Sequence, residues 1–261
     1  MFDLIDKAHV IIPGTMLVLS RISGMFLTFP VFSANFISKR IRLTIAVMFT
    51  LVISPMFYSS FPEIDSVLSL MIMVIKELMV GFTIGFGTNV IFESMKTAGG
   101  FISHQIGLSM AQAIDPNTNQ QSSIVSQLLV MIMLIYFVVS NGHYLFIETF
   151  YNNFKIVPLG MATMPAAIGR NIIKTGSNMY VLALRFAGPT VVFMLLVESA
   201  TAISVRVMPQ MNAFFITLPL RIGCGIFALV NSLNIFQLMY MNFYEVIYQY
   251  IGSSLNQMKG I

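Results

Sequence analysis

From Ile124 to Ile147 the chain has no Asp, Glu, Lys or Arg, and this stretch is one of six that are long, apolar and almost uncharged. The others are Val10 to Phe32, Ile41 to Tyr58, Val67 to Phe92, Tyr180 to Val205, and Val207 to about Tyr240, the last interrupted by Pro209, Pro219 and Arg221. At about 1.5 Å per residue, such stretches match a hydrocarbon core of roughly 30 Å. They are about twice as long as a barrel strand requires and do not alternate in polarity, which excludes strands as the spans. The expected fold class is an all-α membrane protein built from long apolar helical hairpins. Only 9% of the 261 residues are charged, against about 25% in soluble domains. A soluble core could not hide so much apolar surface with so few charges left for water. Residues 1–261 therefore read as one integral membrane domain without an internal repeat, and Ile124 to Ile147 as its cleanest span.

The ends and the charges add less. Asp3 and Asp6 against the single Lys7 do not make the basic start of a cleavable signal. The net charge of +4 comes from scattered cations, with Lys39, Arg40 and Arg42 the densest group. That pattern suits loops flanking membrane spans and does not suit a nucleic-acid partner. The other cationic cluster runs from Arg170 to Lys174, and three spans counted between the two clusters would put them on opposite sides, against the positive-inside rule.

Charges inside the apolar stretches constrain the assembly more. Arg21, Lys76, Glu77, Arg185, Glu198 and Arg221 each cost at least ~2.5 kcal/mol at mid-bilayer, so each needs a partner or water. Lys76 and Glu77 point about 100° apart on a helix. Arg185 and Glu198 fall on nearly opposite faces. Partners must then come from other helices or other subunits. Glu77, Gly81, Gly85, Asn89, Glu93 and Thr97 form a small and polar stripe at steps of four. In it Gly81 and Gly85 allow close backbone approach.

The segment of about 101–122 differs from its neighbours. Ile102, Ile106, Met110 and Ile114 share one helical face, Gln105, Ser109 and Gln112 another, and Asp115-Pro116-Asn117 ends it in a turn. Lying between two long apolar runs, it reads as a surface linker or as a re-entrant element. The C-terminal end reads as a tyrosine-rich packing face (Tyr240, Tyr244, Tyr248) followed by a polar tail from Gly252 to Lys259.

No catalytic constellation, phosphate-cradling loop or metal-ligand spacing is present, and His9, His104 and His143 are far apart. One cysteine, Cys224, supports neither a bridge nor a Cys-based metal site. The expectation is a protein that is not an enzyme and needs no cofactor. A secondary transporter or ion channel would use intramembrane charges at a midplane site. The breaks near Pro62, Asp115-Pro116 and Pro209 do not pair into two halves as that reading needs.

Three stretches together resemble the FliR family of flagellar type III secretion export-gate proteins, which is related to the injectisome SctT family. They are Ile106-Gly-Leu-Ser-Met-Ala-Gln-Ala-Ile-Asp115-Pro116, Asn141-Gly-His-Tyr-Leu-Phe-Ile147 with the Val157-Pro158-Leu159-Gly160 turn, and Met208-Pro209-Gln210-Met211-Asn212 closing on Leu218-Pro219-Leu-Arg-Ile222. Arg21 and the stretch from Phe29 to Arg42 look similar too. The resemblance implies a subunit that joins FliP and FliQ in a closed helical export gate, with FlhB alongside and FlhA below. Unfolded flagellar subunits would pass through it at the bacterial inner membrane, in the flagellar basal body. It also implies that Ile106, Gly107, Leu108, Met110, Ile114, Asp115 and Pro116 belong to a plug or gasket in the channel. Intersubunit contacts are expected at Glu77, Gly81, Gly85, Arg185, Glu198, Pro209, Gln210, Asn212 and Arg221, and the outer surface would meet membrane lipid.

Overall fold

A computed structural model describes residues 2–29, 38–62, 64, 66–108, 123–207 and 213–259, apart from the side chains of 2–9, 59, 145, 213–216 and 235–244. The elements in chain order are α1 (Phe2–Thr28), α2 (Lys39–Ile53), a 3-10 turn (Ser54–Ser60), α3 (Val67–Ile106), α4 (Ile124–Val139), α5 (Gly142–Ile156), α6 (Ala166–Val207) and α7 (Ala213–Met258). Among the described residues the only β pairing is an isolated bridge between Ala162 and Lys259. Among the described residues four helices are long and apolar enough to cross a membrane, Val10–Thr28, Lys39–Tyr58, Val67–Ile106 and Ala166–Val207, and the bent pair Ile124–Val139 and Gly142–Ile156 makes a fifth if it counts as one span. Their outward faces carry large apolar side chains, with Leu51, Val52, Leu68, Ile173 and Leu196 each more than 60% exposed. An apolar surface of that kind calls for lipid or protein around it. The fold is that of an all-α membrane protein.

The helices depart from the sequence expectation in four places. The uncharged run from Ile124 to Ile147 is not one helix. Asn141 takes the left-handed conformation (φ 59°) and splits it into α4 and α5. Asn is one of the few side chains that visit that region readily, and hydropathy does not register it. Second, α3 does not end near Phe92 but continues to Ile106, so 101–106 are helix rather than the start of a separate segment. Third, α7 runs through Pro219 without ending. A missing backbone bond is tolerated in helices packed within membrane proteins. Fourth, the polar end from Gly252 is helical and packed, with Ser254, Leu255 and Met258 buried. The Thr163 backbone N–H and hydroxyl both donate to the Met258 carbonyl at 3.1 Å. Asn171 Nδ2 donates to Gln257 Oε1 at 3.1 Å.

The chain forms two compact units. The first contains residues 1–90, 141–176 and 246–261; the second contains 91–140 and 177–245. In the first, α1 and α3 cross through small residues. A Cβ on Gly24 would lie 2.9 Å from the Phe82 nitrogen, and one on Gly85 would lie 2.6 Å from the Met25 carbonyl oxygen. Gly24 thus faces Leu78 and Phe82 while Met25 and Thr28 face Gly85, so the two helices run in the same direction. α2 must return between them. On α5, Phe146, Phe150 and Phe154 recur at steps of four and form a ladder, with centroids 6.1 and 6.0 Å apart. Phe49 of α2 joins it 5.8 Å from Phe150. In the packing of this unit, Tyr250 presses on Gly87 and is buried, whereas Tyr248 is 65% exposed. Of the expected tyrosine face, Tyr248 thus points outward, and the side chains of Tyr240 and Tyr244 lie outside the described residues.

In the second unit, Val125, Leu129, Met133 and Phe137 make the buried face of α4 at steps of four. That face packs antiparallel on the end of α3, where Phe92 meets Phe137 and Gly99 meets Ser126. Ser123 caps α4 through the Ser126 N–H at 3.1 Å. The Ser126 hydroxyl donates to the Lys96 carbonyl at 2.7 Å.

Candidate functional site

The first unit holds a fully buried ion pair. Arg21 on α1 and Glu77 on α3 have no exposed side-chain surface, and Arg21 Nε donates to Glu77 Oε2. Arg21 Nη1 donates to Asn153 Oδ1 at 3.0 Å, to the Val157 carbonyl at 2.8 Å and to the Asn153 carbonyl at 3.4 Å. The other oxygen of Glu77 accepts the Gly160 N–H at 2.8 Å. Local sequence explains that last contact. The Met161 N–H donates to the Pro158 carbonyl at 3.3 Å, and Gly160 has φ 76° at the third position of the turn, where a side chain would be strained. The guanidinium also lies 4.7 Å over the Phe154 ring. Removing two charges from water is costly unless hydrogen bonds compensate, and here α1, α3, the end of α5 and the 157–160 turn all contribute.

The sequence reading sought partners for Glu77, Gly81 and Gly85 in other subunits; the structure places contacts of all three within the chain. Glu77 is neutralised by Arg21 of its own chain. A Cβ on Gly81 would fall on the Arg21 carbonyl and lie 2.9 Å from its carbon. Gly85 faces α1 as well. All three are buried within one unit. Asn153, central to the hub, was missed. As an uncharged amide on a short helix it carried no signal of its own.

The second unit holds a more open polar cluster. Glu198 on α6 accepts from Arg221 Nη2 of α7 at 2.5 Å and from Gln105 Nε2 of α3 at 3.1 Å. The two charged side chains are 42% and 27% exposed. Glu198 and Arg221, also expected at intersubunit contacts, thus meet each other in the same chain. Their exposure still leaves an accessible edge. Arg185 is exposed and forms no ion pair among the described residues. It does not pair with Glu198, as the sequence spacing required.

Beside this cluster α3 ends. Ile106 is buried, and a Cβ on Gly225 of α7 would lie 2.8 Å from its Cδ1. Gly107 has φ 92°, and its N–H closes the helix on the Ser103 and His104 carbonyls, each at 3.1 Å. Ile106 is thus a packing residue, Gly107 the helix stop, and Leu108 half-buried. Met110, Ile114, Asp115 and Pro116 of the expected plug, and Pro209, Gln210 and Asn212 of the expected interface, lie outside the described residues. Among the described residues, no three His, Cys, Asp or Glu side chains group to hold a metal ion.

Comparison with known proteins agrees with this architecture. The family described as "Bacterial export proteins, family 1" matches residues 12–246. The flagellar biosynthetic protein FliR of Caulobacter vibrioides is 31% identical over 84% of this chain and 87% of its own length. That of Bacillus subtilis is 27% identical over 90% and 91%. That of Escherichia coli is 28% identical over 80% and 79%. The match runs from within α1 into the last third of α7 and takes in Arg21, Glu77, Asn153, Glu198 and Arg221. The chain belongs to family 1 of the bacterial export proteins and, within it, to the FliR family of flagellar biosynthetic proteins.

Proposed function

We propose that this chain is a core subunit of the flagellar type III export gate. It joins FliP and FliQ in the bacterial inner membrane, at the flagellar basal body, with FlhB and FlhA adjoining. Together they form the channel through which unfolded flagellar subunits pass. The observation that carries this reading is the family match over residues 12–246, together with relatives that are named flagellar biosynthetic proteins and covered over most of their length. Two features of the chain fit it. The helices expose large apolar side chains along much of their length, as a subunit embedded among others would. The half-exposed Glu198–Arg221 pair and the exposed Arg185 leave polar groups among exposed apolar side chains, where a neighbouring subunit can meet them.

On this reading the segment from Ile106 to Pro116 closes the resting channel. Ile106 anchors it to α7, and Leu108 and Met110 begin the part that seals. An uncharged, methionine-containing gasket can re-seal around a moving chain, because Met adapts to irregular surfaces. Deleting Leu108 to Asn119 is expected to raise the resting ion leak of gate-containing membranes while the complex still assembles. An unchanged leak at normal assembly would sink the plug. The transporter reading loses support at Arg21 and Glu77, which are enclosed by protein and neutralise each other within the chain.

A further inference from the structure

The span that begins with α2 is the barest of the four. In Lys39–Tyr58, 17% of the apolar window is buried, against 28% to 50% in the other three. Ala46 and Thr50 are buried, and Phe49 packs on Phe26 and Phe150, so one face of α2 is turned to the protein. The opposite face carries two exposed stripes at steps of four. One is Lys39, Leu43, Val47 and Leu51; beside it run Arg40, Thr44, Met48 and Val52. The Thr44 hydroxyl donates to the Arg40 carbonyl at 3.0 Å, so its polar group is satisfied within the helix. Each stripe is thus headed by a cation and offers apolar surface below it. Tyr58, also exposed, lies about 30 Å along the axis from Lys39, which matches the thickness of the hydrocarbon core. Lysine and tyrosine both favour the edges of that core. The outward face of α2 therefore suits lipid.

The cationic end needs a further account. No Asp or Glu occurs between Asp6 and Glu63, and among the described residues none of Lys39, Arg40 and Arg42 forms an ion pair. Arg42 is half-buried, and its Nε is shielded from solvent without a hydrogen-bond partner. The helix gains nothing from these charges. Cations in a first turn oppose the helix dipole, and Ser38 caps α2 without them. An anion is what the cluster lacks, at the level where the apolar stripes begin. A phospholipid supplies both parts: a phosphate for the cations and acyl chains for the stripes. A zwitterionic headgroup brings its own positive charge and leaves the cluster unneutralised. An anionic headgroup does not.

We infer that the N-terminal end of α2 is a site for an anionic phospholipid. Lys39, Arg40 and Arg42 hold its headgroup, and its acyl chains lie along Leu43, Val47 and Leu51. The site belongs to the surface of α2 and does not depend on the export-gate reading.

The test introduces a photo-crosslinker, Leu43→p-benzoylphenylalanine, into the full chain in its own membrane. Ile135→p-benzoylphenylalanine is the control, at an exposed position of α4, where the helix carries no charge. After illumination the adducts are identified by mass spectrometry. At Leu43 the expected adducts are phosphatidylglycerol or other anionic phospholipids, enriched at least about threefold over their share of the membrane. Phospholipid adducts at Ile135 should follow the membrane's composition. K39Q/R40Q/R42Q should abolish the enrichment at Leu43. Adducts at Leu43 in proportion to the membrane's composition would mean that the cations reach only into water, and would overturn the inference. A protein adduct at Leu43 would overturn it too, since another chain would then cover the face. Should the triple variant fail to accumulate, the enrichment at Leu43 in the otherwise unaltered chain decides alone: its presence supports the site, and its absence refutes it.

Discussion

Two acid–arginine pairs in this chain share their chemistry and differ in surroundings. Arg21 and Glu77 have no exposed side-chain surface and are bound by three further backbone groups. Arg221 and Glu198 are 27% and 42% exposed, and Gln105 donates to Glu198 as well. Burial decides what a pair can do. The enclosed pair cannot lose a member without leaving an uncompensated charge in protein. The open pair can trade its partner for water, a lipid headgroup or a group on another chain. The first is therefore an internal fixture of the fold, and the second is free to serve at a surface.

The comparison breaks most sharply at Glu77. Glu77→Ala is expected to destabilise the chain by about 3–5 kcal/mol, the cost of isolating one member of a buried pair. The readout is the unfolding midpoint and yield of the full chain in mild detergent. A variant as stable as the parent would place the pair in water and remove the contrast.

The glycines sharpen it next. Gly81→Ala puts a methyl group on the Arg21 backbone, which cannot yield as a flexible side chain would. It should cost about 1–3 kcal/mol. Gly169 on α6 has nothing within 4 Å of a Cβ position, so Gly169→Ala should be neutral or stabilising by up to about 1 kcal/mol through helix propensity. The same midpoint measurement applies, and equal effects at both sites would contradict the close crossing.

The smallest effect is expected at the open pair. Glu198→Gln should change the stability of the isolated chain by no more than about 0.2–1 kcal/mol, since exposure screens the interaction. A loss comparable to that of Glu77→Ala would show that Glu198 is as enclosed as Glu77.

Much of the fold was legible in the sequence because hydropathy and length speak directly to membrane helices. The four span-length helices all arise from stretches that composition alone marks. What was not legible depended on local backbone and on contacts distant in sequence. Asn141 breaks the most apolar run because its side chain tolerates a left-handed backbone, and no hydropathy average registers that. Arg21 and Glu77 each stood out as a charge in an apolar helix, yet nothing in one dimension pairs residues 56 positions apart. Their partners were therefore left open between other helices and other subunits. The stripe of Gly81 and Gly85 did announce a close protein contact. It could not say that the contact lies within the same chain. The three motif stretches that carried the family resemblance pointed correctly to the family, while Met110 to Pro116 and Pro209 to Asn212 lie beyond the described residues.

The central claim is that this chain works as one subunit of a multi-protein export gate. Native mass spectrometry of the tagged chain, extracted in mild detergent from its own cells, tests it most directly. The account predicts one large complex containing FliP- and FliQ-like proteins at defined copy numbers. A chain that runs alone, or as a small homo-oligomer, under conditions that preserve other membrane complexes would contradict it.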